Sequence, residues 1–109
     1  MNWKNKFEQE LILAATARER GNEGQARVCA RRAAGVVARE YFERQGRSMH
    51  SPSAIDLLND LLKVDGLSEQ ARNAAENLTL RVTEEFKLPE GIDLLRDVRV
   101  LAANLLSES

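Results

Sequence analysis

Apolar side chains recur every three or four residues along most of this chain, the period of a helix rather than of a strand. Trp3, Phe7, Leu11 and Ala14, with Arg18 continuing the spacing, form one stripe and predict a helix over residues 2–20. Gly21 is placed to stop it, because glycine accepts the left-handed turn after a helix C-terminus, and Asn22 suits the cap of the next helix. That second helix, over residues 22–46, has two unlike faces. Ala26, Ala30, Ala33, Ala34, Gly35 and Ala38 make one face small, whereas Arg27, Arg31, Arg32, Arg39 and Arg44 make another cationic. Its apolar spacing runs through Ala26, Cys29, Ala33, Val37 and Tyr41, and Gly46 ends it. An interior glycine such as Gly35 costs about 1 kcal/mol relative to alanine, a loss that the close approach of another helix would offset.

Residues 47–53 are a polar connection, and Ser51-Pro52-Ser53 reads as a helix start. Either Ser51 is the cap with Pro52 in the first turn, or Ser53 is the cap. The third helix then holds Ala54, Ile55, Leu58, Leu61 and Leu62 and ends near Asp65-Gly66. Ser68 caps a fourth, whose apolar positions are Ala71, Ala75, Leu78, Val82 and Phe86. Leu88-Pro89-Glu90-Gly91 breaks the chain, since proline cannot continue a helix. A last helix from about Ile92 uses Leu95, Val98, Ala102 and Leu105, with Leu94 and Leu101 widening the stripe. No segment alternates with period two, so no strand is predicted and the fold class is all-α.

Composition narrows the class further. Apolar residues make up 43% and charged residues 30% of the chain, the balance of a globular domain rather than of a disordered segment. At 109 residues a single domain over 1–109 is expected. Such a domain buries roughly two-thirds of its unfolded surface without staples. Cys29 is the one cysteine, so neither an internal disulfide nor a thiolate zinc site is available, and it reads as a small core residue, with a reactive thiol as the alternative. Residues 1–10 are polar and the apolar run Leu11–Ala15 is too short for a signal peptide or a membrane span, so a cytoplasmic location without membrane attachment is expected. The formal net charge of −1 is unevenly spread: residues 1–50 hold ten Lys/Arg against six Asp/Glu, and residues 51–109 hold six against eleven. Either a basic face meets an anion or nucleic acid, or the two halves attract each other within one fold or across a dimer.

Taken in order, these signals resemble a known family. A helix ends in Arg20-Gly21-Asn22, and the Ala-rich helix ARVCARRAAGVVAREYFERQG follows. The loop and short helix MHSPSAIDLLNDLL come next, then ENLTLRVTEEFKLPEGIDLLRDVRVLAANLL. Their order and spacing resemble the HEPN superfamily of small all-α bundles, over nearly the whole chain. The resemblance implies an up-and-down bundle of four main helices with a short extra one, usually as a homodimer. Many members act as ribonucleases, as toxins or as partners of small nucleotidyltransferases. The nucleases carry an Arg, a polar residue and a His four to six positions after the Arg. Here Arg72-Asn73 begins that pattern, but Asn77, Leu78 and Thr79 stand where the His would fall. Metal-independent RNA cleavage needs a group titrating near neutral pH. The implied catalysis therefore does not carry over, and a relative that binds rather than cuts is expected.

Other chemistry is sparse. His50, the only histidine, either joins Arg47 in an RNA-facing site or stands exposed in its loop. Asp56 and Asp60 share a helical face at i, i+4 but meet no second carboxylate cluster, and Glu84-Glu85 reads as surface charge, so no metal site and no cofactor is expected. Gly21-Asn22-Glu23-Gly24 lacks the lysine and the spacing of a phosphate loop, and the six serines have no recognisable triad. The arginines are the best lead. Arg27 and Arg31 share one face, Arg32 and Arg39 another, and a guanidinium fork grips phosphate or carboxylate through two hydrogen bonds. The alternative is ion pairing with Glu19, Glu23, Glu40, Glu43 or the acidic C-terminal half. Few aromatics are available to stack on bases: Trp3, Phe7, Tyr41, Phe42 and Phe86 mostly fall on core stripes. The reading that follows is a non-enzymatic homodimer, with helices 2 and 5 as its seam. It binds a nucleotide, RNA or a protein partner, with Arg27, Arg31, Arg32 and Arg39 as an anion site. The alternatives are a degenerate ribonuclease using Arg72 and Asn73, or a structural or regulatory partner of a small nucleotidyltransferase.

Overall fold

Four of the helix starts are fixed by a side chain that takes up an otherwise orphaned backbone N–H. Asn22, Ser53, Ser68 and Asp93 accept from the N–H groups of Gln25, Asp56, Ala71 and Arg96 at 3.1 to 3.2 Å. The computed structural model describes residues 3–49, 51–80 and 91–106. Its helices are α1 (Trp3–Glu19), α2 (Glu23–Arg44), α3 (Ala54–Leu62), α4 (Glu69–Thr79) and α5 (Leu94–Leu105), with no strand among the described residues. The fold is all-α. Of the two serines offered for α3, Ser53 is the cap. Ser51 Oγ instead accepts the Ser53 N–H at 3.2 Å and donates to Asp56 Oδ2 at 3.0 Å. Replacing Ser53 by alanine should therefore cost about 1 kcal/mol in a urea melt. Helix α5 begins two residues later than expected, because Asp93 caps it. Gly21, at φ 75°, ends α1 as foreseen: the Asn22 N–H reaches back to Ala17 O at 2.8 Å and the Gly21 N–H to Arg18 O at 3.0 Å. The positions Val82 and Phe86, the pair Glu84-Glu85, the break Leu88-Pro89-Glu90 and His50 lie outside the described residues.

Helix α2 is the centre of the molecule and touches all four of the others. Helix α1 runs antiparallel to it, so Glu10 lies beside Arg32 and Trp3 beside Arg44. Helix α4 packs on both α3 and α5. The small face of α2 permits this crowding: Ala26, Ala30, Ala33, Ala34, Gly35 and Ala38 are all buried. At Gly35 the approach is closest. A Cβ there would lie 2.9 Å from Ala54 Cβ and 3.1 Å from Ala54 Cα, where α3 begins.

That packing corrects the expected seam. The small face of α2 and the leucine face of α5 were to meet a second copy, but α2 and α5 pack on each other within the chain. Leu94, Leu95, Val98 and Leu101 are buried, on a helix that packs against both α2 and α4. One position also moves. Tyr41, on the expected stripe, is only half-buried, whereas its neighbour Phe42 is fully buried at the end of the core. No helix among the described residues is long and apolar enough to cross a membrane.

Two acidic residues one turn apart at the start of α5, its cap Asp93 and Asp97, have opposite electrostatic fates. The Arg18 guanidinium, 2.8 Å from Asp93 Oδ1, holds the Asp93 carboxyl below its ordinary value. Burial pushes the Asp97 carboxyl up, opposed by a 3.2 Å hydrogen bond from Asn77 Nδ2. The signs follow from linkage. Asp93 stabilises the fold above its unfolded value, and that contribution is lost as pH falls through the lowered folded one. Asp97 binds its proton more tightly folded than unfolded, so stability falls as pH rises through the raised value. Asp97→Asn should accordingly raise the melting temperature at pH 7, and the gain over wild type should vanish as the pH drops below the ordinary carboxylate range.

Candidate binding cleft

Three elements meet around an open cleft of about 410 Å³. Helix α1 contributes Trp3 and Lys6, and α2 contributes Arg32, Gly35, Val36, Arg39, Glu40 and Glu43. Pro52, Ala54 and Leu57 come from the start of α3. Gly35 lies on the cleft wall where α3 comes closest to α2. With no side chain there, the first turn of α3 seats directly on α2. Trp3, Val36, Pro52, Ala54 and Leu57 make the apolar part of the lining. Charges stand around it in pairs. Arg32 Nε donates to the buried Glu10 Oε2 at 2.8 Å, and Lys6 Nζ lies 3.8 Å from Glu10 Oε1. The hydrogen bond to Glu10 holds the Arg32 guanidinium above its ordinary value. At the other end Glu40 accepts from Arg44 Nε at 3.0 Å.

The arginines of α2 do not converge on one point. Arg31 donates from Nε to Leu78 O at 2.9 Å and from Nη2 to Leu80 O at 2.6 Å, satisfying carbonyls at the C-terminal end of α4. Desolvation and the neighbouring Arg27 charge lower its pKa. Arg39 holds Met49 O at 2.8 Å and Ser51 O at 2.6 Å, fixing the chain just before α3. Arg32 lines the large cleft with Arg39, while Arg27 lines a separate hollow of about 50 Å³ beside Arg18, Glu23 and Ile92. Cations at the C-terminal ends of helices complement the dipole there as well as the orphan carbonyls. The basic half of the chain thus meets the acidic half largely through backbone oxygens. Among the described ion pairs only Arg18 with Asp93 joins the two halves.

Arg72 repeats the same arrangement. Its Nη1 donates to Leu62 O at 2.9 Å and its Nη2 to Val64 O at 3.3 Å, where α3 ends. Asn73, next to it, is exposed, and Asn77 spends its amide on Asp97. Cys29 is fully buried, with Gln25 Nε2 at 3.5 Å and Arg32 Nη2 at 3.4 Å from its sulfur. Asp56 accepts from Ser51, and Asp60 lies 3.7 Å from Lys63. No group of three metal-binding side chains gathers among the described residues.

Sequence reasoning did not connect Glu10, Lys6, Val36 or Pro52 with a site; Pro52 was read only as part of the start of α3. Glu10 carried a faint signal, since it sits beside Leu11 and one turn from Phe7 and Ala14, at the edge of the apolar stripe. The other three depend on where α3 docks, which no local pattern records. Comparison with family models, with curated proteins and with solved structures finds no match for this chain.

Proposed function

We propose that this chain is a non-catalytic helical binding domain, and that the cleft between α1, α2 and α3 takes a protein partner. One observation carries the reading: a cavity of about 410 Å³ with an apolar floor and paired charges at its rim. Small-ligand sites commonly have that size and lining, and the apolar face of a partner's helix docks on floors of the same kind. A phosphate-bearing ligand suits it less well. Arg39 has two donors committed to carbonyls, and Glu40 and Glu43 stand on the same wall. The nuclease alternative is disfavoured by Arg72, two of whose donors hold carbonyls at the end of α3. The long α1 and α2, the short α3 and the pair α4 and α5 support the up-and-down, HEPN-like arrangement of four main helices with a short extra one. A branch that binds fits that resemblance without the missing His.

Trp3 is the sole tryptophan of the chain and lines the cleft, so its emission reports occupancy directly. A polypeptide partner should shift that emission to saturation, while ATP and a short single-stranded RNA should leave it unchanged. RNA cleavage by the wild type that disappears in Arg72→Ala would contradict the reading.

Self-association is a second reading, favoured by Ile12, Leu13 and Val28. These apolar side chains of α1 and α2 are exposed at 63%, 45% and 45%. A dimer in the native mass spectrum that Leu13→Glu converts to monomer would support it, and a bare wild-type monomer would end it.

A further inference from the structure

We infer that the cleft reads polarity: it accepts an amphipathic helical segment of another protein, with an acidic first turn and a basic last turn, aligned parallel to α2. This rests on the cleft being the binding site, as proposed above. The charges that remain available there are sorted by position. At one end stand Arg32 and Lys6, whose side chains are 48% and 52% exposed although both face Glu10. Arg32 commits Nε and Nη2 inward, to Glu10 and Cys29, which leaves Nη1 for a partner. At the other end Glu43 is exposed and forms no ion pair among the described residues; Glu40, about one turn before it, is already held by Arg44 Nε at 3.0 Å, so Glu43 supplies the available acidic charge. Between them lie Val36, Ala54 and Pro52, with Trp3 on the α1 wall.

From Arg32 to Glu43 is roughly 16 Å along α2, the length of about three helical turns. A segment of that length can set its first turn against Arg32 and Lys6 and its last against Glu43. Its middle then lays apolar side chains one turn apart onto the floor, as in other helix-in-groove complexes. The same order of charges, acid first and base last, is the one that a helix's own dipole stabilises. A nucleotide offers only negative charge, and Glu40 and Glu43 oppose it.

The test uses the full chain and two Trp-free peptides of about fourteen residues and identical composition. One carries Glu in its first turn, leucines along one face and Lys in its last turn. The other has one Glu and one Lys mixed into each end turn, so that neither orientation matches the two ends of the cleft. The first should shift Trp3 emission to saturation and the second should bind about tenfold more weakly, a gap that closes in high salt. Glu43→Lys, at an exposed position, should abolish the first peptide's advantage while leaving the melting temperature unchanged. Equal binding of the two peptides would overturn the polarity and leave the cleft reading standing. A shift of Trp3 emission by ATP or RNA but by neither peptide, or occupation of the cleft by a second copy of the chain, would overturn the choice of partner. Trp3 emission that no probe moves would sink both readings.

Discussion

Gly35→Leu should destabilise the protein by about 3 kcal/mol or more and loosen α3 from α2. Even the smallest side chain meets an obstacle at this position. A Cβ on residue 35 would stand 2.9 Å from Ala54 Cβ and 3.1 Å from Ala54 Cα, and the second of these is backbone that no rotamer can move. Gly35→Ala gains about 1 kcal/mol in helix propensity, so its net cost should be smaller, about 1–2 kcal/mol. The pair supplies its own control. Ala54→Gly removes the opposing Cβ, and the double variant Gly35→Ala with Ala54→Gly should recover part of what Gly35→Ala loses, giving a measurable coupling. Urea unfolding followed by circular dichroism reads all of these. An unchanged midpoint for Gly35→Leu would mean that α3 does not sit on α2 as described.

Arg72→Ala should cost about 2–3 kcal/mol, whether or not RNA is present. The guanidinium bridges Leu62 O and Val64 O, so its loss strips two donors from the end of α3 at once. Arg72→Lys should restore little, because a single ammonium on a flexible stem does not reproduce a planar fork spanning two carbonyls. Arg31→Ala should behave in the same way at the end of α4, where Leu78 O and Leu80 O lose their partner. Denaturant titration separates these effects from a catalytic one. A stable Arg72→Ala protein that has lost RNA cleavage would assign the residue to chemistry instead of to architecture.

The helices themselves were legible because their signals are local. Asn22 and Ser68 announce caps, Gly21 and Gly46 announce ends, and the spacing of Phe7, Leu11 and Ala14 announces a buried face. Even the close approach at Gly35 was readable, since a glycine inside an alanine-rich helix needs a compensating neighbour. What the small face of α2 packs against was not legible. A stripe of alanines looks the same whether it meets α3 and α5 or a second copy, and only the folded arrangement decides. The arginines show a similar limit. Arg31 and Arg39 carry the right chemistry for an anion, but carbonyls brought from residues 78–80 and 49–51 take that capacity first. The cleft depends on the same long-range placement, which joins Trp3 and Lys6 to Ala54 and Pro52 across the whole of α2.

Backbone amide spectra of the ¹⁵N-labelled chain, recorded while the acid-first peptide, ATP and a short RNA are added in turn, test the central claim most directly. The account predicts that the peptide moves the signals of Trp3, Lys6, Val36, Glu40, Glu43 and Ala54, and leaves Asn73 and Ile12 in place. Shifts centred on Arg72 and Asn73 with RNA, and none around Val36 with the peptide, would contradict it.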